Sequence, residues 1–146
     1  MKVETMKFGL RKINTIEFAT TIEPTVSEHE KMELKANIML GINENLRFII
    51  TSIKFQFEID NSPFIILNMS CEFEIEEDVW NQSIDKEGSS ISFPRNFLLH
   101  LVATTVGTAR GILYTKTEHT PFNKYLLPML NINELVKEDQ VFQLKN

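Results

Sequence analysis

Three stretches of the chain, residues 32–42, 49–59 and 65–75, alternate apolar and polar side chains with a period of two. This period is typical of β-strands that have one buried face and one solvated face. Turn-forming residues separate the stretches, at positions 41–45 and 60–63. The sequence therefore predicts consecutive antiparallel strands that are joined by short turns.

A weaker alternation precedes these strands, over residues 8–18. Phe8 and Leu10 share the phase of Phe18, but Lys12 interrupts the pattern and Ile13 is out of phase. An extra residue in one strand shifts the phase of everything that follows it, and such an insertion is a β-bulge. We therefore predict a bent or bulged first strand.

The spacing of apolar residues changes to three and four after Gly88. This spacing predicts a helix of about five or six turns, with Ser92 as its N-cap and Pro94 in its first turn. Residues 116–130 then form an apolar linker without a clear period, and residues 133–137 predict one or two further helical turns. The helix is predicted from Phe97, Leu98, Leu101, Val102, Thr105, Val106, Ala109, Ile112 and Leu113.

Strands followed by helices predict an α+β fold. Specifically, we predict a four-stranded antiparallel β-sheet with one long and one short helix packed on one face. The length of 146 residues and the hydrophobic content of 42% fit a single domain, residues 1–146, with a core of its own.

Small residues follow one side of the predicted long helix, at Ala103, Gly107 and Gly111. A glycine inside a helix costs about 1 kcal/mol relative to alanine, so these positions predict a close approach by another element. Two interpretations remain open, which are packing of the helix on its own sheet and an interface between subunits.

Several classes of chemistry are not expected from this sequence. The 15 basic and 20 acidic residues give a net charge of −5, which disfavours binding to nucleic acid. The spacing of His29, His100 and His119 matches no metal site, and Cys71 lies in the apolar phase of its strand as a small core residue. With no phosphate-binding or nucleophile motif either, we expect no metal, no cofactor and no enzymatic activity.

The N-terminal residues also indicate where in the cell the protein is expected. Lys2, Glu4 and Lys7 interrupt the first ten residues, so they do not form the apolar core of a secretory signal. No uninterrupted apolar run approaches the ~20 residues that cross a bilayer. We expect a cytoplasmic protein that does not insert into membranes.

The third predicted strand carries acidic residues at every second position, namely Glu72, Glu74 and Glu76. They share one sheet face if that strand extends as far as residue 76. A solvated surface explains them, and so does a docking surface for a basic partner segment.

Several motifs along the chain resemble SecB, the bacterial export chaperone, and its SecB-like relatives. Phe93-Pro94 is similar to the start of the long helix in that family, and Ala109-Arg110-Gly111 to a point near the end of that helix. Residues 127–135, Leu-Pro-Met-Leu-Asn-Ile-Asn-Glu-Leu, resemble the region after the helix. Phe73-Glu74-Ile75 resembles the Phe-x-Ile that ends the family's last strand.

The resemblance implies a homotetramer, built as a dimer of dimers, with the long helices between the sheets and the stripe of Ala103, Gly107 and Gly111 in an interface. It also implies an ATP-independent holdase that binds unfolded or non-native polypeptides in apolar grooves. Phe73 is carried over as a client-binding residue from its motif. We add Tyr125 and Leu127, which lie in the apolar linker that would border such a groove.

In the family, acidic residues of the first strand help to dock the translocase motor SecA. Thr15 and Ala19 occupy the comparable stretch here, so the resemblance gives less support to SecA as a partner and to a role in protein export. A SecB-like chaperone that serves an antitoxin is therefore an alternative. Two other classes stay open, an interaction domain that binds one fixed partner through its acidic face and a carrier of a small apolar ligand.

Overall fold

The computed structural model describes residues 7–22 and 32–145. Four strands form an antiparallel sheet in the order β1-β4-β3-β2, which confirms the predicted architecture. β2 and β1 are thus the two edges of the sheet, although they are consecutive in the chain. The strands are β1 (Phe8–Thr20), β2 (Met32–Asn43), β3 (Phe48–Ile59) and β4 (Ser62–Ile75).

The first strand is bulged, as predicted. Its pairing with β4 shifts register between Leu10 and Lys12 and again between Thr15 and Glu17. Arg11 is therefore the extra residue at the first shift, and it accounts for the change of phase that the sequence shows at Ile13.

The helices follow β4 in the order α1 (Glu77–Ser83), α2 (Arg95–Thr117) and α3 (Ile132–Leu135). The long and the short predicted helix correspond to α2 and α3. Four elements were not predicted. They are α1, the 3-10 helix at Pro121–Lys124, and the short strands β5 (Ser90–Phe93) and β6 (Gln140–Gln143), which pair antiparallel with each other.

The predicted N-cap of the long helix was wrong. Ser92 lies in β5, where it pairs with Val141 of β6, and Pro94 takes the N-cap position in an extended conformation. Pairing with β6 holds Ser92 in a strand, two residues before the N-cap of α2, so its hydroxyl does not cap the helix.

The core lies between α2 and the two central strands. The apolar residues predicted on one face of β3 and β4 are buried here, and Cys71 is among them as a core residue. Burial raises the pKa of the Cys71 thiol. At the centre of this layer, the hydroxyl groups of Thr51 on β3 and Thr105 on α2 form a hydrogen bond, and Thr105 donates to the carbonyl oxygen of Leu101 at 2.8 Å.

By length and composition, α2 is apolar enough to cross a membrane. The same test is passed by the core helix of many folded proteins, and one face of α2 is buried on β3 and β4. A single such helix is weak evidence for a membrane span.

Candidate functional site

The apolar row on β2 is only half-buried. Each of its side chains faces the same side of the sheet as a buried neighbour on β3, as Ile38 does beside Ile53. Because α2 packs on β3 and β4, it leaves the outer strand partly uncovered. The half-buried row consists of Leu34, Ala36, Ile38, Leu40 and Ile42.

A groove of about 300 Å³ lies between this row and the segment that contains α3 and the start of β6. Ile38 and Leu40 line one side, and Leu135 and Val136 line the other. The rim is polar, with the exposed side chains of Glu134, Lys137 and Glu138. We call this space the β2 groove.

The edge of β2 adds hydrogen-bonding capacity to the groove. β2 pairs with β3 over its whole length, and within residues 7–22 and 32–145 no other strand pairs with it. An edge strand presents unpaired backbone N–H and C=O groups, which can accept a further strand. The β2 groove thus combines an open backbone edge with apolar side chains.

The wall of the groove is held by Arg95, the first residue of α2. Its Nε atom donates to the carbonyl oxygen of Val136 at 2.7 Å, and its Nη2 atom donates to that of Asn133 at 3.1 Å. The backbone N–H of Arg95 donates to the carboxylate of Asp139 at 2.7 Å. Hydrogen bonds to charged groups are the stronger ones in proteins, so this arginine determines where α3 lies.

The opposite edge of the sheet has a second open surface. Leu10, Ile13 and Ile16 of β1 are between 39% and 58% exposed. A cleft of about 380 Å³ lies between β1 and α2, lined by Thr15, Gly111 and neighbouring α2 residues. We call this region the β1–α2 surface.

The small residues of α2 face outward beside this surface. Ala103, Gly107 and Gly111 are exposed, and a Cβ atom added to either glycine would meet nothing within 4 Å. Packing of α2 on its own sheet therefore does not explain the glycines. Their role in a subunit interface stays a prediction.

The three predicted client-binding side chains are buried. Phe73 is 1% exposed and packs edge-on against Phe8, with ring centroids 6.4 Å apart. The ring centroids of Tyr125 and Phe64 are 4.9 Å apart, and Leu127, in the segment that leads to α3, is 2% exposed. In the single chain these side chains are part of the core, and their direct contact with a client stays a prediction.

The predicted docking carboxylates do not form one continuous surface. Glu72 accepts a hydrogen bond from Asn14 at 3.0 Å, and Glu74 forms an ion pair with Arg11 at 3.0 Å. β4 ends at Ile75, so Glu76 lies at the N-cap of α1 and not on the sheet face. A docking role for these residues stays a prediction.

One buried carboxylate was not predicted from the sequence. The side chain of Glu58 is 3% exposed and pairs with Nζ of Lys35 on β2 at 3.1 Å. A hydrogen bond from Gln56, helped by Lys35, lowers the pKa of Glu58 although burial opposes this shift. The alternation of charged residues predicts only that Lys35 and Glu58 are polar, not that they meet across two strands.

In the part of the chain that the structure describes, no group of three or more His, Cys, Asp or Glu side chains is arranged to hold a metal ion.

No protein-family model matches this chain, and no curated protein matches it in sequence. Among solved structures, the SecB-like chaperone Rv1957 of Mycobacterium tuberculosis, in complex with a ChAD peptide from the Rv1956 HigA1 antitoxin, matches with a TM-score of 0.54. The two are 13% identical, and the match covers 86% of this chain and 91% of that chain. A protein of unknown function from Streptococcus agalactiae is 12% identical and matches with a TM-score of 0.40, over 87% of this chain and 99% of that chain. The likeness to Rv1957 shows that this chain has the SecB-like fold.

Proposed function

We propose that this protein is an ATP-independent chaperone that holds extended, non-native polypeptide segments in the β2 groove. The observation that carries the proposal is the open edge of β2 beside a half-buried apolar row. The SecB-like fold and the motifs around Phe73 and Arg110 support it.

Strand addition explains how such a groove can accept many sequences. Backbone hydrogen bonds to an edge strand do not depend on the side chains of the added segment. Alternate side chains of that segment would face Ile38 and Leu40, where apolar contact favours hydrophobic residues without selecting one of them. Binding of this kind needs neither a cofactor nor catalysis.

The same proposal includes self-association into a homotetramer through the β1–α2 surface. Exposed apolar residues at a sheet edge favour aggregation unless a partner covers them. Leu10, Ile13 and Ile16 are such residues, and the small stripe of Ala103, Gly107 and Gly111 leaves room for the close approach of a second helix.

A second candidate function is a chaperone dedicated to an antitoxin. The matching structure of Rv1957 is a complex with a peptide from an antitoxin. For this chain, a dedicated client would also bind as an extended segment in the β2 groove, and SecA would not be a partner. The two candidates differ in selectivity, because a general holdase binds unrelated unfolded proteins.

Paired variants on β2 test the groove. Ile38→Ser removes an apolar side chain from the groove, and Met39→Ser changes the adjacent residue, which is 72% exposed and points to the other face. We expect the wild type and Met39→Ser to capture reduced, carboxymethylated α-lactalbumin, a permanently unfolded protein, and Ile38→Ser to capture much less. Equal capture by both variants would contradict binding in the β2 groove.

The same experiment separates the other classes of function. Binding of one natural partner without capture of α-lactalbumin would favour the antitoxin chaperone or another fixed-partner domain. A small apolar molecule that copurifies with the protein and is extracted by organic solvent would favour a ligand carrier.

A further inference from the structure

The C-terminal part of the described chain runs beside β2. Gln140, the first residue of β6, lines the β2 groove together with Leu40. At the other end of this segment, the backbone N–H of Lys145 donates to both carboxylate oxygens of Glu44, at 3.0 and 3.1 Å. Glu44 directly follows β2, so the segment lies next to that strand at the groove and again at its end.

The attachment of this segment changes at the start of β6. Before that point, Arg95 holds the groove wall through the carbonyl oxygen of Val136 and the carboxylate of Asp139. After it, β6 pairs with β5 and, in the described residues, with no other strand. A two-stranded ribbon is marginally stable in water unless side chains anchor it.

Two apolar side chains anchor β6. Phe142 is half-buried, with its ring centroid 6.5 Å from that of Phe93, and Leu144 packs on the same core. Val141, just before Phe142, is 59% exposed. Elements with few buried contacts separate at a lower free-energy cost than global unfolding, so β6 can leave β5 while the sheet and α2 stay folded.

We propose that β6 is a strap that limits how much of β2 a polypeptide can occupy. This inference rests on the proposed function of the β2 groove. With the strap in place, a bound segment reaches Ile38 and Leu40. When β6 leaves β5, the groove extends along β2 toward Glu44, and a longer segment adds further backbone hydrogen bonds.

While β6 is paired with β5, a molecule cannot bind the longer segment. The apparent affinity for that segment is therefore its intrinsic affinity multiplied by the fraction of molecules in which the strap is open. A reversible cross-link tests this directly. Ser92 and Val141 are direct partners in β5 and β6, and both are exposed, so the double variant Ser92→Cys with Val141→Cys can form a disulfide across the ribbon. The native Cys71 is buried and does not compete.

The probe is a fluorescein-labelled peptide that alternates Val and Lys over about the length of β2, which has 12 residues. We expect the oxidised double variant to bind this peptide about tenfold more weakly than the same variant after reduction. Equal affinities would overturn the strap. If the wild type does not bind the peptide at all, the proposed function fails and the strap fails with it.

A second pair of variants acts in the opposite direction. Phe142→Ala removes an anchor of β6 and should bind the peptide more tightly, whereas Val141→Ala alters an exposed neighbour and should bind as the wild type does. Weaker or unchanged binding by folded Phe142→Ala would contradict the proposal. If that variant does not fold, the comparison of oxidised and reduced protein decides the question.

Discussion

Arg110 on α2 donates from Nε to the carbonyl oxygen of Leu127 at 2.8 Å, and from Nη2 to that of Pro128 at 2.9 Å. These carbonyl groups belong to an irregular segment between the 3-10 helix at Pro121–Lys124 and α3. The guanidinium fastens this segment to α2 while Leu127 is buried. Arg95 does the same at the other end of α2, so two arginines position the chain that becomes the wall of the β2 groove.

Arg110→Ala should lower the free energy of unfolding by about 2–3 kcal/mol, because hydrogen bonds to a charged group contribute about 1.5–3 kcal/mol. Arg110→Lys should recover less than half of this loss, since an ammonium group cannot reproduce the two-pronged geometry. Urea denaturation measures both effects. Lys116→Ala, an exposed change on the same helix, is the control and should stay near the wild type.

The pair of Thr51 and Thr105 predicts an asymmetry between two similar variants. Thr105 donates its only hydroxyl hydrogen to Leu101, so it accepts the hydrogen bond from Thr51. Thr105→Val leaves the buried Thr51 hydroxyl without this partner, at a cost of about 1–3 kcal/mol, whereas Thr51→Val leaves Thr105 bonded to Leu101 and costs less. A double-mutant cycle measures the coupling, and equal effects of the two single changes would contradict this assignment of donor and acceptor.

Asp85 predicts a pH dependence of stability. The backbone N–H of Ser89, with the hydroxyl groups of Ser89 and Ser90, lowers the pKa of Asp85 from 3.8 to about 2. Because the folded-state pKa is below the unfolded one, the carboxylate stabilises the native state above about pH 4, and this contribution is lost as the pH falls through about 2.

The measurement is the difference in Tm between the wild type and Asp85→Asn as a function of pH. We expect a difference near neutral pH that shrinks between about pH 4 and pH 2. Glu87→Gln, in the same loop and exposed, serves as the control. A difference that persists unchanged at pH 2 would show that the charge of Asp85 is not what stabilises the turn.

Gly107→Leu tests the proposed oligomer. A side chain at this position meets nothing within 4 Å in the single chain, and replacing a helical glycine relieves a cost of up to about 1 kcal/mol. The variant should therefore fold well but lose its oligomeric mass, as measured by light scattering. Gln82→Leu adds an exposed leucine to α1 and should keep the mass of the wild type. A Gly107→Leu variant of unchanged mass would place the interface elsewhere.

Phe73→Ser should destabilise the fold and not merely weaken client binding. Phe73 is buried against Phe8, and truncating a buried phenylalanine costs about 3–5 kcal/mol. Phe73→Leu should cost less, because it keeps most of the apolar volume. Thermal unfolding measures both variants. Full stability of Phe73→Ser combined with loss of client capture would support the direct binding role that the motif implies.

Local patterns in the sequence were sufficient to predict the four strands of the sheet, the bulge in β1 and the buried face of α2. These features depend on the spacing of neighbouring apolar residues, and the period of two or of three to four reports which way each side chain points. The missed elements lacked such a pattern. β5 and β6 are four residues each, and each is stable only because it pairs with a segment far away in the chain.

The sequence by itself determined that Ile38 and Ile53 face the same side of the sheet, since both fall on the apolar phase of their strands. It also determined that Ala103, Gly107 and Gly111 share one side of a helix. Only the tertiary structure decided that Ile53 is buried while Ile38 borders a groove, and that Phe73 lies in the core. The reason is that exposure depends on where α2 crosses the sheet, and a single helix covers β3 and β4 but is too narrow to cover the edge strands as well.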